Sequence, residues 1–378
     1  MARVVIVGAG IIGAASAYFC ARAGHDVTVV DRQAVAAGTT GAGEGNVLLS
    51  DKQPGPELAM GLRAAQLWNE LGEELGADAF ELERKGGVVV ARSDDALAAL
   101  RGLSVDQRDS GVESEQLDRG QLRDAEPHLA DDLAGGAFYP QDLQVQPMLA
   151  AAHLLRASSA VLRLGVEVTG LRLGGDRVAG VVTSDDVIAA DYVVNAAGTW
   201  SGRLAERFGA PVPVHPRRGF VLVTEPLPPI IRHKVYSAEY VANVASDNEG
   251  LETSAVVEGT RAGTVLIGAS RERVGFDSTV SLPVVRRLAA QAVRLFPVLA
   301  SVNLMRVYAG LRPYCPDHLP IVGADPRVPG LLHACGHEGA GIGLAPATGE
   351  LIAALITEQP TTIDATPFAP TRLVGAVT

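Results

Sequence analysis

The chain has 378 residues, 47% hydrophobic and 20% charged, which is the composition of a globular protein with room for two domains and not of a disordered chain. Its net charge of −11 at pH 7 argues against nucleic acid or an anionic membrane as the partner, so an anionic substrate must meet a local cation. The three cysteines, Cys20, Cys315 and Cys335, form no CxxC pair and suggest neither a disulfide framework nor a zinc or iron–sulfur site.

The first elements in chain order are a strand, a turn, a helix and a second strand within residues 4–32. The aliphatic run Val4–Val7 leads into GAGIIG, and a second aliphatic run, Val27–Val30, ends in an aspartate. This start is apolar enough to imitate a signal peptide, but Arg3 is the only side-chain charge before it and the glycine pattern explains it better. No other segment approaches an uninterrupted membrane span, and unpaired cysteines fit a reducing compartment, so we expect a cytoplasmic protein.

Each residue type in this unit has a physical role. Gly8 permits the tight turn, Gly10 lets backbone N–H groups approach a pyrophosphate at the helix N-terminus, and Gly13 brings the helix close to the strand. Asp31 follows Gly10 by 21 residues, near the roughly 20 expected for a carboxylate that binds an adenosine ribose. These features predict a bound dinucleotide and leave open whether it is NAD or FAD.

A long loop and a helical region follow. Residues 36–58 are rich in Gly, Thr and Pro, and this polar loop suits a ligand too large to be covered by one βαβ unit. The leucine spacing predicts an amphipathic helix over residues 58–75, and GGVVVA predicts a strand over Gly86–Ala91. Residues 93–135 are acidic and mostly helical in pattern, with a turn at Glu126–Pro127, and we interpret them as a solvated surface and not a partner site.

The pattern changes to short strands in the second half of the chain. From residue 161, strands separated by Gly-Gly-Asp and Ser-Asp-Asp turns predict a β-meander that ends in the apolar strand Tyr192–Asn195. A second strand-rich region runs from about Val212 to Gly275, and residues 284–300 are predicted to form a helix.

The last hundred residues contain a second glycine-rich junction between a strand and a helix. LLHAC is a predicted strand, GHEGAGIG a turn, and Leu344–Ile356 a helix. A helix N-terminus facing the pyrimidine edge of a flavin stabilises the electron-rich reduced form. The alternative interpretation of this segment is a plain glycine turn without a ligand. Two such junctions serve the two ends of one FAD molecule.

Four groups of motifs occur once each along the sequence. They are the N-terminal fingerprint, TGAGEGN in the long loop, VVNAAGTWSG at a strand end, and GLRPYCPDHLPIVG followed by GHEGAGIGLAPATG. In this order they resemble the superfamily of glycine oxidase, D-amino-acid dehydrogenase and sarcosine oxidase. The resemblance covers nearly the whole chain and is strongest in the first 55 residues and between residues 305 and 357.

The resemblance implies an α/β fold of mixed α+β character. A Rossmann-like FAD-binding domain is then interleaved with a substrate domain built on a large mixed β-sheet. The FAD-binding domain is expected in residues 1–85, 145–208 and 316–378, and the substrate domain in residues 86–144 and 209–315.

Transferred residue by residue, the resemblance implies non-covalent FAD and no metal. Val168 matches a position whose backbone contacts the adenine, and Gly339–Gly343 matches the turn below the isoalloxazine. The expected cofactor-binding residues are Gly8, Gly10, Ile12, Gly13, Asp31, Arg32, Thr39, Thr40, Gly45, Asn46, Val168, Ala197, Gly198, Trp200, Gly339, Ala340, Gly341, Ile342 and Gly343.

The implied reaction is oxidation of the C–N bond of a small amino or imino acid, of the glycine, sarcosine, D-amino-acid or D-proline type. Hydride transfer to the flavin gives an imine and then a 2-oxo acid, and O2 or another acceptor reoxidises the flavin. Arg312 is the candidate that binds the substrate carboxylate through two hydrogen bonds, the alternative being an arginine that bonds backbone carbonyls. His337 is a candidate beside the flavin turn, or else a capping or packing histidine. Tyr236, Tyr240 and Tyr308 are pocket hydroxyls or core residues.

Several positions depart from the superfamily pattern. Glycine oxidases have a second arginine where this chain has Gly339 and a pocket tyrosine where it has Val256, while sarcosine oxidases have a lysine in place of Leu266. In sarcosine oxidases the cysteine attached to flavin matches Arg312 and not Cys315, which favours non-covalent FAD. These departures argue against a strict glycine oxidase and leave an acceptor other than oxygen open.

Three functional hypotheses remain at this point. The first is the amino-acid oxidoreductase, alone or as a homo-oligomer. The second is the β-subunit of a heteromeric hydroxyproline, proline or opine dehydrogenase, inactive alone, whose partner chains carry iron–sulfur centres. The third is an NAD-dependent dehydrogenase, which would be colourless.

Overall fold

The computed structural model describes residues 1–244 and 248–373. Its helices are α1 (Ile11–Arg22), α2 (Pro56–Leu75), α3 (Asp94–Arg108), α4 (Arg119–Ala125), α5 (Pro147–Ser158), α6 (Ser201–Arg207), α7 (Ala238–Val244), α8 (Leu282–Leu295) and α9 (Gly341–Thr357). Its strands are β1 (Arg3–Val7), β2 (Asp26–Asp31), β3 (Asn46–Val47), β4 (Gly87–Ala91), β5 (Glu115–Leu117), β6 (Gly135–Tyr139), β7 (Leu143–Gln144), β8 (Val161–Leu164), β9 (Val168–Gly174), β10 (Arg177–Thr183), β11 (Val187–Ala189), β12 (Tyr192–Asn195), β13 (His215–Thr224), β14 (Lys234–Ser237), β15 (Glu252–Gly259), β16 (Val265–Arg271), β17 (Leu304–Tyr314), β18 (Ile321–Ala324) and β19 (Leu331–Cys335).

The first large sheet has six strands in the order β18-β19-β12-β1-β2-β8. All its pairs are parallel except that of β18 with β19. Its central strands are aliphatic on both faces because helices and loops cover both faces of a parallel sheet. Helix α1 packs closely against α9, since a Cβ atom on Gly349 would lie 2.6 Å from the carbonyl oxygen of Ala15. The two glycine-rich junctions therefore belong to neighbouring elements.

The second large sheet has eight strands in the order β17-β13-β16-β15-β14-β4-β6-β5. Phe220, Leu222 and Ile267 point to one face, where Leu288 of the amphipathic helix α8 packs against them. The opposite face includes Gly219 and Arg312, which lie on the paired strands β13 and β17. This sheet therefore places polar residues of β17 beside the first sheet.

The predicted β-meander after residue 161 is only partly correct. Strands β9, β10 and β11 form a separate antiparallel three-stranded sheet, as predicted. The prediction is wrong for β8 and β12, which pair in parallel with β2 and β1 in the six-stranded sheet. Pairing partners more than a hundred residues away leave no mark in local alternation, which is why the sequence pattern did not separate these strands.

Other predicted elements agree with the structure apart from their ends. Helices α2, α8 and α9 and strands β4, β12 and β19 were predicted, whereas α5 was not, and α7 interrupts the strand-rich region. Strands of the six-stranded sheet fall within the three segments predicted for FAD binding, and those of the eight-stranded sheet within the other two. The domain boundaries themselves stay a prediction, and β7 pairs across one of them with β3.

Candidate active site

The turn between β1 and α1 is tightly packed. Gly8 has φ +120°, and a Cβ atom there would lie 2.3 Å from the carbonyl oxygen of Ala196. A Cβ atom on Gly13 would lie 1.9 Å from the carbonyl oxygen of Gly8. The first N–H groups of a helix have no acceptor within the helix, and here the N–H of Ile11 donates to Thr40 Oγ1 at 3.0 Å. The start of α1 is thus an anion-binding end with the loop residue Thr40 beside it.

Asp31 lies at the end of β2, beside this turn. Its Oδ2 accepts a hydrogen bond from the N–H of Ala9 and its Oδ1 one from the N–H of Gln33, both at 2.8 Å. A carboxylate can accept about four hydrogen bonds, so two of its acceptor positions stay open for ribose hydroxyls. Asp31 therefore bonds the turn through the N–H of Ala9 and has acceptor positions left for a ribose.

One cavity connects the two glycine-rich junctions. It is lined by most of the predicted residues, namely Gly8, Gly10, Ile12, Asp31, Arg32, Thr39, Thr40, Asn46, Val168, Ala197, Gly198, Trp200, Arg312, His337, Gly339, Gly341 and Ile342. Residues from β1, the long loop, β13, β17 and the start of α9 meet here although they are far apart in sequence. The cavity is therefore our candidate active site.

Four predicted cofactor-binding residues do not line the cavity and shape its walls instead. Gly13 holds α1 against β1, as described above. Gly45 has φ +101°, and a Cβ atom there would lie 2.0 Å from the carbonyl oxygen of Val145. Ala340 donates its N–H to the carbonyl oxygen of His337, and a Cβ atom on Gly343 would lie 3.4 Å from the carbonyl oxygen of Asn46.

Threonines attach the long loop to the strand that carries Arg312. The hydroxyls of Thr39 and Thr199 both donate to the carbonyl oxygen of Leu311, at 2.8 and 2.6 Å. Because Leu311 immediately precedes Arg312, these bonds fix the strand where its side chain enters the cavity. The Thr39 hydroxyl is thereby occupied by the protein itself.

Arg312 is held in place by β13 and β16. Its Nη1 donates to the carbonyl oxygen of Ser270 at 2.7 Å, and a Cβ atom on Gly219 would lie 2.2 Å from Nη1. Burial lowers the pKa of Arg312, and the nearby Arg271 guanidinium lowers this pKa further. A guanidinium has five N–H donors, so one bond to a carbonyl leaves a fork for a carboxylate. The structure shows the bond to a backbone carbonyl, and the binding of a substrate carboxylate stays a prediction.

The part of the cavity predicted to hold the adenosine is basic and aromatic. Val168 lines it together with its neighbour Glu167. The Arg32 guanidinium lies 4.6 Å from the centre of the Trp200 ring, and Arg203 lies 3.8 Å from the centre of the Phe276 ring. Arg203 also lines the cavity and was not predicted, because no local pattern distinguishes it from a surface arginine.

Of the three candidate tyrosines, Tyr240 is the one that lines the cavity as described. Tyr236 is fully buried and hydrogen-bonded to Ser50, as expected for a core residue. Neither Tyr308 nor the two departure positions Val256 and Leu266 belong to the cavity lining. The differences from glycine and sarcosine oxidases at Val256 and Leu266 therefore lie outside the cavity lining.

Glu44 is a cavity residue that sequence reasoning missed. It is 8% exposed, and its Oε1 has no hydrogen-bond partner among the described residues. Its Oε2 accepts a hydrogen bond from Asn46 Nδ2 at 3.3 Å, and Asn46 Oδ1 is likewise buried without a described partner. The available signal was a charged residue inside an otherwise uncharged glycine-rich loop, TGAGEGN.

His337 lines the cavity as a neutral side chain. Its Nε2 lies 2.9 Å from Thr348 Oγ1, and that hydroxyl donates to the carbonyl oxygen of Leu344. The hydroxyl therefore accepts from Nε2–H, which assigns the proton to Nε2. Burial lowers the pKa of His337 to about 3. A neutral imidazole that bonds a helix residue supports the packing interpretation over an acid–base role at neutral pH.

This burial predicts how stability depends on pH. The pKa of His337 is lowered from 6.5 to about 3 on folding, so its contribution to stability is complete above pH 6.5 and is lost as the pH falls toward 3. Between pH 7.5 and 4.5 the free energy of unfolding of the wild type should fall by about 2–3 kcal/mol more than that of His337→Gln. Urea unfolding at the two pH values measures the difference. If the free energy of unfolding fell by the same amount in the wild type and in His337→Gln, His337 would be protonated as readily in the folded protein as in the unfolded one.

The described residues fit an FAD molecule on three structural observations. Glycines at the β1–α1 turn leave no room for side chains, a helix N-terminus and the Asp31 carboxylate lie where pyrophosphate and ribose would bind, and the buried Asn46 Oδ1 has no hydrogen-bond partner among the described residues. Within residues 1–244 and 248–373, no group of three His, Cys, Asp or Glu side chains could hold a metal ion. Over the same residues, no helix has both the length and the apolar character required to cross a bilayer.

The cysteines bear on how FAD is held. Cys20 and Cys315 do not line the cavity as described, whereas Cys335 does, and burial raises the pKa of Cys335 to about 12. Because the thiolate is the reactive form, Cys335 is inert at neutral pH. We expect acid precipitation of the protein to leave all FAD in the supernatant, which absorbance at 450 nm measures. Yellow colour that stays with the pellet would contradict non-covalent binding.

Comparisons with known proteins identify the family of this chain. Residues 3–355 match the family model DAO, described as FAD dependent oxidoreductase. The chain is 32% identical to hydrogen cyanide synthase subunit HcnC of Pseudomonas aeruginosa, covering 98% of this chain and 95% of that one, and 31% identical to glycine oxidase of Geobacillus kaustophilus, covering 99% and 98%. The crystal structure of the latter superposes with a TM-score of 0.87 at 29% identity, covering 98% and 99%.

The chain belongs to the DAO family of FAD-dependent oxidoreductases. The predicted family, the mixed α/β fold and the FAD cofactor are thereby confirmed. The NAD-dependent alternative falls away with this family. The roles of individual site residues stay predictions.

Proposed function

We propose that this FAD-dependent enzyme oxidises the C–N bond of a small amino or imino acid and that Arg312 binds the substrate carboxylate. One observation supports this proposal above others. Arg312 is half-buried and lines the same cavity as the glycine-rich junctions, and its Nη1 donates to the backbone carbonyl oxygen of Ser270. A half-buried cation with open donors in an acidic protein suits a planar carboxylate.

The chain's own residues would bind, orient and shield the substrate. Arg312 would hold the carboxylate, while Gly219 and Gly339 leave space on two sides of its side chain. The flavin, when bound, accepts the hydride equivalent from the α-carbon, and water hydrolyses the released imine. His337 stays neutral and hydrogen-bonded to Thr348, so it is a wall residue in this proposal and takes no proton. The nitrogen lone pair forms the imine as the hydride leaves, so a substrate that binds as the ammonium zwitterion first releases one proton to water.

The direct test is an anaerobic substrate screen on the purified chain. Glycine, sarcosine, D-alanine, D-proline and cis-4-hydroxy-D-proline are mixed with the holoenzyme under nitrogen, and absorbance at 450 nm is followed. We expect at least one of them to bleach the flavin within seconds to minutes. Admitting oxygen then shows whether the colour returns with O2 or requires another acceptor. A panel in which no amine bleaches the flavin would refute the proposal for the single chain.

A second candidate function is a subunit of a heteromeric enzyme that is inactive alone. One observation favours it, because a relative that covers 98% of this chain is named as a subunit of hydrogen cyanide synthase. For this chain we propose that the subunit oxidises the amine itself and that partner chains take the electrons from the reduced flavin. The distinguishing result is a flavin that an amine bleaches under nitrogen and that does not regain its colour when oxygen is admitted.

A further inference from the structure

The cavity contains a buried carboxylate that the proposed reaction does not use. Glu44 lies in the segment between β2 and β3, lines the cavity, and is more than nine-tenths buried. Its Oε2 is held by Asn46, and its Oε1 has no hydrogen-bond partner in the described part of the chain. An ionised carboxylate removed from water costs several kcal/mol unless a cation or hydrogen-bond donor meets it. Among the described residues, no hydrogen-bond donor meets Oε1.

The neighbouring sheet makes room for this carboxylate. A Cβ atom on Gly268 of β16 would lie 2.2 Å from Oε1 and 3.3 Å from Oε2 of Glu44. Any side chain at position 268 would therefore push the carboxylate away. The close approach of Glu44 to the large sheet thus depends on a glycine at that position.

The nearest buried lysine is already paired. Lys234 Nζ lies 2.6 Å from Glu258 Oε2, and both side chains are almost completely buried. The two charges of that pair balance one another, so Glu44 remains as an additional negative charge. Arg312 in the same cavity carries a positive charge, and its Nη1 donates to a neutral carbonyl oxygen, that of Ser270. The cavity therefore presents the Arg312 cation and the Glu44 carboxylate to a ligand.

We propose that Glu44 is a specificity-determining residue that faces the cationic nitrogen of a zwitterionic ligand whose carboxylate binds Arg312. The proposal rests on the function proposed above and narrows its substrate class. Ligands with both a carboxylate and a cationic nitrogen bind well, and carboxylates without the nitrogen charge bind poorly. The charge arrangement gives this preference because a ligand without a cationic nitrogen leaves Glu44 buried and unpaired.

The test uses two ligands of the same shape that differ in charge. Betaine has a quaternary nitrogen where 3,3-dimethylbutyrate has a carbon atom, and neither has an N–H or a lone pair from which an imine could form. Binding of each to the FAD-loaded protein is measured by isothermal titration calorimetry. We expect the wild type to bind betaine at least about tenfold more tightly, equivalent to about 1.4 kcal/mol, and Glu44→Gln to bring the ratio near one. Arg312→Met should weaken both ligands by the same factor.

A matched control is Glu126→Gln. Glu126 is also fully buried, but its Oε1 accepts hydrogen bonds from the backbone N–H groups of Arg232 and His233, and it does not line the cavity as described. This variant should keep the wild-type preference for betaine. If Glu44→Gln loses FAD, the ratio of the wild-type affinities for betaine and 3,3-dimethylbutyrate tests the proposal. A cavity without a carboxylate facing the ligand nitrogen would bind betaine no more tightly.

Three outcomes would overturn the proposal. They are a wild type that binds both ligands equally or neither, an unchanged ratio in Glu44→Gln, and a Glu44→Gln variant in which only the flavin reduction potential changes. The last would show that Glu44 contacts the cofactor and not the ligand. Because neither ligand is oxidised, this test and the anaerobic screen fail separately. A Glu44-dependent preference without any amine oxidation would refute only the proposed reaction.

Discussion

Replacing Arg312 with methionine is expected to lower kcat/KM for the best amino-acid substrate by about 30- to 1000-fold. This range corresponds to the roughly 2–4 kcal/mol lost when one partner of a buried, hydrogen-bonded charge pair is removed. Arg312→Lys should also be strongly impaired, since a lysine lacks the planar fork that binds a carboxylate and that bonds the carbonyl oxygen of Ser270 at 2.7 Å. Steady-state kinetics across a series of substrate concentrations gives the change in kcat/KM.

The FAD content of both variants should equal that of the wild type, because the turn that binds pyrophosphate lies at the other end of the cavity. Arg306→Met is the matched control, since Arg306 is exposed on the same strand, β17, and does not line the cavity as described. It should leave kcat/KM within about twofold of the wild type. Unchanged kinetics in Arg312→Met would remove Arg312 from the substrate site.

Gly13→Ala is expected to destabilise the protein by about 2–4 kcal/mol and to abolish stable FAD binding. In an ordinary helix the same change stabilises, because alanine has the higher helix propensity. Here the new Cβ atom would lie 1.9 Å from the carbonyl oxygen of Gly8. Both groups belong to the backbone, so relief requires that α1 move away from β1 and that the anion-binding turn open. The ratio of absorbance at 450 and 280 nm measures bound FAD, and thermal unfolding measures stability.

Gly102→Ala is the control for helix propensity. Gly102 lies inside α3, and a Cβ atom there meets no heavy atom within 4 Å. This variant should gain about 0.5–1 kcal/mol of stability and keep its FAD. If Gly13→Ala gained stability and kept its FAD as this control does, α1 would not lie as close to β1 as described above.

The candidate site was predicted best where its residues are neighbours in sequence. Gly8, Gly10 and Gly13 act through backbone sterics over six residues, and Asp31 follows at the end of the next strand. The glycine-rich turn before α9 is local in the same sense. Each of these units can be predicted because its conformation depends on side-chain size and backbone freedom within one short segment.

The remainder of the site depends on residues that are distant in sequence. The Thr39 hydroxyl bonds the carbonyl oxygen of Leu311, which is 272 residues away. Glu44 was not among the predicted site residues, and its burial follows from its contact with Gly268 on a strand of the second sheet. Burial by a distant strand has no periodicity to detect, so the sequence pattern did not reveal this carboxylate.

The sequence by itself determined the dinucleotide unit, its chemistry of glycines and one carboxylate, and the superfamily to which the motifs belong. The tertiary structure decided which strands pair and which charges share the cavity. It separated β8 and β12 from the predicted meander, and it placed Arg312 and Glu44 in one cavity. The physical reason is that turn geometry is set by neighbouring residues, whereas sheet pairing and the burial of a charge are set by segments hundreds of residues apart.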